Sequence, residues 1–477
     1  MMVIRLLWMI PALIIVSMIA FFLSRSIPGD RVDTFLQDGR DQYQANSDFL
    51  ALQKTYRQTA RSLGLDQPLF YFSIHSHILP DTISQILRTQ EREAAVQLAL
   101  RTGDWSMVHD FRKSLYQLIH QAEVDLSQTN QTDIKGVQNE LAFLLYEDKP
   151  LMIQRKLSAL EPWMSALSST ILNAQDVEKV VNLGQKMEQS TGGMKWWPKF
   201  VWHGTKNQYH FWVSRVLQGD FGLSVIDSKP VFDKVKESLR WTLLLNGTAL
   251  FMAFLIALPL GVWLASTKKI KVSRWVQTIL FVLYAMPSFW LATIVVVFFT
   301  TPEYGAWLDW FPTQGLGPYK DAGSWFSKIM IISNHLFLPV FCLMVGSLAY
   351  ISQQMRQAMS HELNADYFLF YRSFGLKKAN VIWGQAFRNS VFPMITILGG
   401  AIPVLFSGSL IIEVIFNIPG MGRLMYTSIL AKDWNVVFGV LLMVSAITMV
   451  SYLLADIAYQ AVDPRVRSDH QLKKTSF

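Results

Sequence analysis

The sequence predicts an all-α, polytopic membrane protein with six transmembrane helices and a helical domain inserted after the first of them. Its 477 residues are 51% hydrophobic and only 16% charged, a balance typical of integral membrane proteins that carry soluble portions. Six stretches contain no Asp, Glu, Lys or Arg and are long enough to cross about 30 Å of hydrocarbon at about 1.5 Å per residue. The long segment between the first two has no further span and is dominated by helical periodicity.

The spans are predicted at Leu6 to Ser24, Trp241 to Thr267, Trp275 to Pro302, Ile329 to Met355, Asn389 to Ile412 and Trp434 to Ala455. The first follows Arg5 as a signal peptide would, but "FFLSRSIPGD" has no small-x-small cleavage site, so it reads as a retained helix. With the N-terminus inside, fourteen basic residues fall in the inner short segments: Arg5; Lys268, Lys269, Lys271 and Arg274; Arg356, Arg372, Lys377, Lys378 and Arg388; and Arg465, Arg467, Lys473 and Lys474. Only four, Lys320, Lys328, Arg423 and Lys432, fall outside. That asymmetry predicts both termini on the cytoplasmic side. It also accounts for the net charge of +8 without nucleic acid.

The organisation expected is a first transmembrane helix in 1–30, a periplasmic region over 31–235 with an insertion at about 78–206, a five-span core over 236–467 and a cytoplasmic tail over 468–477. In the insertion, Ile86, Ala94, Leu98, Val108, Phe111 and Leu115 are spaced for apolar helix faces, and "TGD" at 102–104 divides two helices. Further helical pattern runs through "VQNELAFLLYED", "IQRKLSALEPWMSAL" and "AQDVEKVVNLGQKMEQ" until "STGGMKWWP". No fixed period marks it as a solenoid. In the core, Gly261, Pro287, Pro339, Gly399 and Pro403 suit spans that pack closely or bend.

Catalytic readings fail on residue type. His361 and Glu362 open a zinc-protease helix motif, but the second imidazole would have to stand where Ala365 is. Cys342 is the single cysteine, so neither a disulfide nor a CxxC pair is possible. No G-x-x-x-x-G-K-[ST] phosphate loop occurs in the sequence.

The segment "HELNADYFLFYRSFGLKKANVIWGQAFRNS", 361–390, lies between two spans and is rich in charges, amides and aromatics. One helical pattern runs to Phe374, Gly375 supplies the left-handed residue that ends it, and a second begins at Lys378 and runs toward Pro393. A bent helix pair with exposed aromatics and no nucleophile suits the docking of another protein.

These residues resemble the permease subunits of bacterial ABC importers, and within them the first permease of the peptide and nickel class. Asp366, Tyr367, Arg372, Gly375, Leu376, Ala386, Arg388, Asn389 and Pro393 match that family's cytoplasmic loop at its spacing. "IPGD", "LGLDQPL", "GDFGLS", "SGSLIIEVIFNIPGMGRLMYTSILAKDWNVVFG" and "ADIAYQAVDPRVR" resemble further signatures of the class. The likeness covers residues 1–75 and 207–467; the helical block between them has no counterpart. Phe374 stands where the family usually has Lys, and Gln385 where it often has His.

The resemblance implies a MetI-like permease core in the bacterial inner membrane, moving oligopeptides or dipeptides, with nickel as another cargo of the class. It implies a second permease subunit, two ATP-binding subunits that hold ATP and Mg, and a periplasmic solute-binding protein, while this chain is no enzyme and holds no cofactor or metal itself. The nine matched residues become the ATPase-coupling loop, within 362–393. Glu413, at the end of the fifth span, is a candidate for the translocation path, against a plainer role marking the watery end of that span. The rival is a transmission protein that relays ATP hydrolysis to a periplasmic partner without transport; such proteins usually have four spans and lack the Asp366 to Pro393 pattern.

Overall fold

The computed structural model describes residues 2–26, 32, 49–62, 64–126, 132–167, 172–190, 197–300, 310–312, 314–319 and 321–462. The expectations placed on 27–30, on Lys320 and on the tail from 463 lie outside the described residues. The chain divides into two compact units, one made of residues 1–25 and 219–477 and the other of residues 26–218. Helix α1, Met2–Ser26, is the first span.

The 26–218 unit begins with α2, Phe49–Ser62, and strand β1, Phe72–Ser76. Five helices follow: α3, Thr89–Thr102; α4, Trp105–Leu126; α5, Thr132–Leu144; α6, Pro150–Leu167; and α7, Ala174–Gln189. Gly103, at φ 74°, ends α3 inside the expected "TGD" break. Asn173 caps α7 by accepting from the Gln175 amide. The apolar stripes of α3 to α7 meet in one core around Leu98, Phe111, Leu115, Leu141, Ile153 and Met187, each such burial stabilising by about 1.5–3 kcal/mol. At Gly184 a Cβ would come within 2.5 Å of Leu157 Cδ1, so a larger residue there would require the Leu157 side chain to shift.

Strand β2, Pro198–Trp202, pairs antiparallel with β1 in the register Phe72↔Trp202 to Ser76↔Pro198. The helical periodicity did not reveal this ribbon, because its two halves lie on opposite sides of the helices in sequence. Pairing brings the start and end of the helical block together. Helix α8, Gln208–Leu217, completes the unit and is capped by Asn207, which accepts from the His210 amide.

One buried charge is held inside the unit. Glu91 and Arg112, 5% and 8% exposed, pair directly, and the Tyr116 hydroxyl donates to the same Glu91 oxygen. Arg112→Met strands that carboxylate, and the expected cost is about 3–5 kcal/mol. Limited proteolysis of the full chain should show 26–218 cleaved much faster, with the double Glu91→Met, Arg112→Met variant recovering most of the protection.

The remaining unit is the membrane core. Helix α9, Val231–Ser266, is followed by α10, Ile270–Ala285, and α11, Ser288–Phe299. Helices α12, Trp325–Leu363, α13, Asp366–Ser373, and α14, Lys378–Val381, come next. A π turn over Ile382–Ala386 leads into α15, Phe387–Ser407, and the chain ends in α16, Leu410–Ile415, α17, Met421–Leu430, and α18, Trp434–Val462. Among the described residues five helices are long and apolar enough to cross a membrane, and six spans result when the pair α10 and α11 counts as one.

That pair covers the third expected span, in which Pro287 was among the residues suited to close packing or a bend. Its halves are bent by 97° at Met286 and Pro287, where proline lacks the amide that would continue the ladder and disfavours helix at the residue before it. The fifth span ends earlier than Ile412: Gly408 takes φ 84°, and Leu410–Ile415 is a separate short helix. Helix α9 crosses α12 closely, and a Cβ at Gly261 would meet Met355 Cβ at 2.6 Å and Ser352 O at 2.8 Å. Small residues at such crossings are how helices pack when lipid gives no hydrophobic drive.

Candidate functional site

The loop between α12 and α15 is assembled from short elements whose ends are each fixed. Asp366 sits in the first turn of α13, where a carboxylate complements the helix dipole. Phe374 closes that helix and Gly375, at φ 81°, turns the chain; a Cβ there would meet nothing within 4 Å. Backbone conformation alone therefore requires the glycine. Arg372 Nη1 donates to Leu376 O at 2.8 Å, across the turn. Lys378 Nζ reaches Ser266 O, at the C-terminal end of α9, at 3.4 Å.

The second half of the loop is pinned to the first through one carboxylate. Glu362 Oε2 accepts from the Tyr367 hydroxyl at 2.5 Å and from Asn389 Nδ2 at 3.0 Å. Burial, and then the Glu362 carboxylate, push the Tyr367 hydroxyl up to about 12, so it remains a donor at neutral pH. Tyr367 and Asn389, 22 residues apart, are thereby brought together. Sequence reasoning considered Glu362 only as half of a zinc motif; its place directly before the matched pattern was the available signal.

Ala386 is fully buried, and with Phe368, Val381 and Ile382 it packs into a cluster that includes Ala253, Ala257, Met355 and Met359 of α9 and α12. Asp366, Arg372, Gly375, Leu376, Arg388, Asn389 and Pro393 are exposed. Beside them Leu369, Phe370 and Phe374 are 67%, 59% and 71% exposed, with the Phe370 and Phe374 rings 4.7 Å apart. The nine matched residues thus separate by role: Ala386 faces the core, Tyr367 and Asn389 lock the bend, Gly375 and Arg372 shape it, and the others face outward with an apolar patch. Leu369, Phe370 and Phe374 thus form an exposed apolar patch on a loop whose underside is buried.

Glu413 is placed quite differently. It is 0% exposed, neither at a watery helix end nor facing an open passage within the chain. Its Oε1 accepts from Thr242 Oγ1 and from the Ser409 amide, and its Oε2 from the Arg423 amide, all at 3.0 Å. Thr242 Oγ1 in turn accepts from the Met421 amide at 2.8 Å. One carboxylate therefore ties α9, α16 and α17 together. Glycines make room for it: a Cβ at Gly420 would fall 2.4 Å from the Glu413 carboxyl carbon, and one at Gly422 2.5 Å from Leu410 Cα.

A second cross-chain fastening was not visible in the sequence. Ser224 donates to the buried Asp433 Oδ2 at 2.5 Å, Lys234 donates to Ser224, and Asn435 Nδ2 donates to Leu223 O at 2.9 Å. The "GDFGLS" and "KDWN" segments are thus held together at the entry to α18.

Residues 257–468 match the family model described as the binding-protein-dependent transport system inner membrane component. The chain is 33% identical over 260 residues to the oligopeptide transport system permease protein AppB of Bacillus subtilis, an overlap of 54% of this chain and 79% of that protein. It is 33% identical to the peptidoglycan transport system permease protein YejB of Agrobacterium fabrum over 52% of this chain and 68% of that one. A putative peptide transport system permease protein of Brucella abortus is 32% identical, over 54% and 79%. With the helical core and apolar spans already described, these matches favour a transporter over a transmission protein, and they imply further transporter subunits and a binding protein. The chain belongs to the inner membrane components of binding-protein-dependent transport systems and is a multi-pass permease subunit of an ATP-driven ABC importer.

Proposed function

We propose that this permease moves oligopeptides or dipeptides, and that residues 362–393 couple it to ATP hydrolysis in partner subunits. The relatives named for oligopeptide and peptide transport support the cargo class. The observation that carries the coupling role is the bent loop itself, locked by Glu362, Tyr367 and Asn389 and presenting Leu369, Phe370 and Phe374 outward. The complete importer in this reading has a second permease, two ATP-binding subunits that hold ATP and Mg, and a periplasmic solute-binding protein.

Phe370→Glu tests the docking. It leaves the core of the loop untouched and places charge in an exposed apolar patch, so permease abundance should be unchanged while ATPase subunits recovered with it fall at least tenfold. Undiminished recovery would rule out this surface as the contact.

The same reading puts both termini and the 362–393 loop in the cytoplasm and residues 31–235 in the periplasm, following the basic-residue asymmetry. With Cys342 replaced, a single cysteine at 150 should react with an impermeant thiol reagent in sealed cells, and one at 377 only after permeabilisation. Labelling of 377 from outside would reverse the orientation.

A further inference from the structure

The 26–218 unit contains a cleft of about 780 Å³ between α2, the 82–91 segment and α4, inside the range of about 300–1,000 Å³ usual for small-molecule sites. One face of α4 forms its longest wall, with Trp105, His109, Arg112, Lys113, Tyr116 and His120 succeeding one another at helical spacing. The opposite walls bring Tyr56, Arg57, Arg88 and Glu91.

The charge in this cleft is uneven. Four basic side chains, Arg57, Arg88, Arg112 and Lys113, face two carboxylates, Glu91 and Asp110. Glu91 is engaged by Arg112 and Tyr116, and Arg57 and Lys113 are exposed cations on the lining, beside Asp110. Two of the guanidiniums are also held against rings: Arg88 lies over Tyr56 at 5.0 Å and donates to the Tyr146 hydroxyl at 2.7 Å, and Arg57 lies over Tyr116 at 5.9 Å. An exposed guanidinium such as that of Arg57 carries paired N–H groups in the geometry that receives a carboxylate. Trp105, half-buried and 6.3 Å from the His109 ring, offers an apolar wall at the mouth of the same cleft.

We infer that this cleft binds small carboxylate-bearing ligands that also carry an apolar group, of which the C-terminal end of a short peptide is the member relevant to this importer. Its biological role rests on the peptide reading above, but the binding itself does not. The inserted unit then holds a ligand site of its own, separate from any site in the membrane core. The buried Glu91, Arg112 and Tyr116 group fixes the floor, Arg57 and Lys113 at the exposed edge supply attraction, and Trp105 receives the side chain preceding the carboxylate.

The test uses the full chain in lipid nanodiscs, without ATPase subunits or binding protein, titrated calorimetrically with Ala-Ala-Phe and with its C-terminal amide. Saturable binding of the acid is expected, with at least tenfold weaker binding of the amide to the unmodified chain. The double variant Arg57→Glu, Lys113→Glu alters only exposed positions and should weaken the acid at least tenfold while circular dichroism stays the same. No saturable binding, equal binding of acid and amide, or unchanged binding by a folded double variant would each overturn the assignment. Transport by the assembled importer is measured separately: peptide binding without peptide transport would count against the cargo reading and leave the cleft assigned.

Discussion

Glu413→Ala should unfold the turn between α16 and α17 and sharply lower the amount of permease recovered. The carboxylate takes three hydrogen bonds in a site with no exposure. Its removal leaves the Ser409 and Arg423 amides and the Thr242 hydroxyl without that acceptor, at about 1–3 kcal/mol for each buried donor. A loss of about 3 kcal/mol or more is therefore expected, read as a lower melting temperature of the purified chain. Glu413→Gln separates shape from hydrogen bonding: the amide keeps the volume but turns an NH2 toward at least one donor, so it should recover only part of the stability. Gly420→Ala should match the alanine variant for a steric reason, because its Cβ would fall 2.4 Å from the Glu413 carboxyl carbon. Unaltered melting in Glu413→Ala would show that the turn is held by something else.

Gly375→Val should abolish transport while leaving the amount of permease unchanged. At φ 81° a β-branched residue is strongly disfavoured, by about 1–2 kcal/mol or more, yet a Cβ at this position meets no atom within 4 Å. Nothing clashes, so the core remains folded and the strain is relieved by redirecting α13 relative to α14. That movement displaces Leu369, Phe370 and Phe374 from the position a partner would engage. At least a tenfold loss of ATP-driven uptake is expected in proteoliposomes with the partner subunits present. Gly375→Asn is the informative companion, since Asn adopts the left-handed conformation more readily than other side chains, and it should retain most of the uptake. Equal loss in the Asn and Val variants would place the requirement on the side chain's absence rather than on the turn.

Much of the 362–393 loop was legible because its determinants are local. Gly375 terminates a helix whatever surrounds it, and Asp366 improves a helix N-terminus by its position alone. What the pattern does not contain is the division of labour. That Tyr367 and Asn389 meet on Glu362 depends on α13 folding back beside the start of α15, and that Ala386 is buried while Arg388 is exposed depends on how the π turn rotates the chain onto α9 and α12. Exposed aromatics were expected in this segment, but which ones stand outward, Phe370 and Phe374 while Phe368 is buried, depends on the fold.

By itself the sequence determined the class of this protein and its spans, because crossing hydrocarbon demands long uncharged helices and that demand is written residue by residue. It also determined the helix break at Gly103 and the bend at Gly375, where one residue type meets a backbone need. Tertiary structure alone decided the rest. Pro287 in the sequence marks a bend without its angle, and the 97° of the break is seen only in the structure. The β1 and β2 ribbon joins segments more than a hundred residues apart, a pairing no local pattern encodes. Glu413 reads as a charge at a span end, yet the fold encloses it, because the amides of Ser409 and Arg423 and the hydroxyl of Thr242 converge on one point only once α9, α16 and α17 have packed. A buried carboxylate is tolerated when enough donors surround it, and the supply of donors is a property of three-dimensional arrangement.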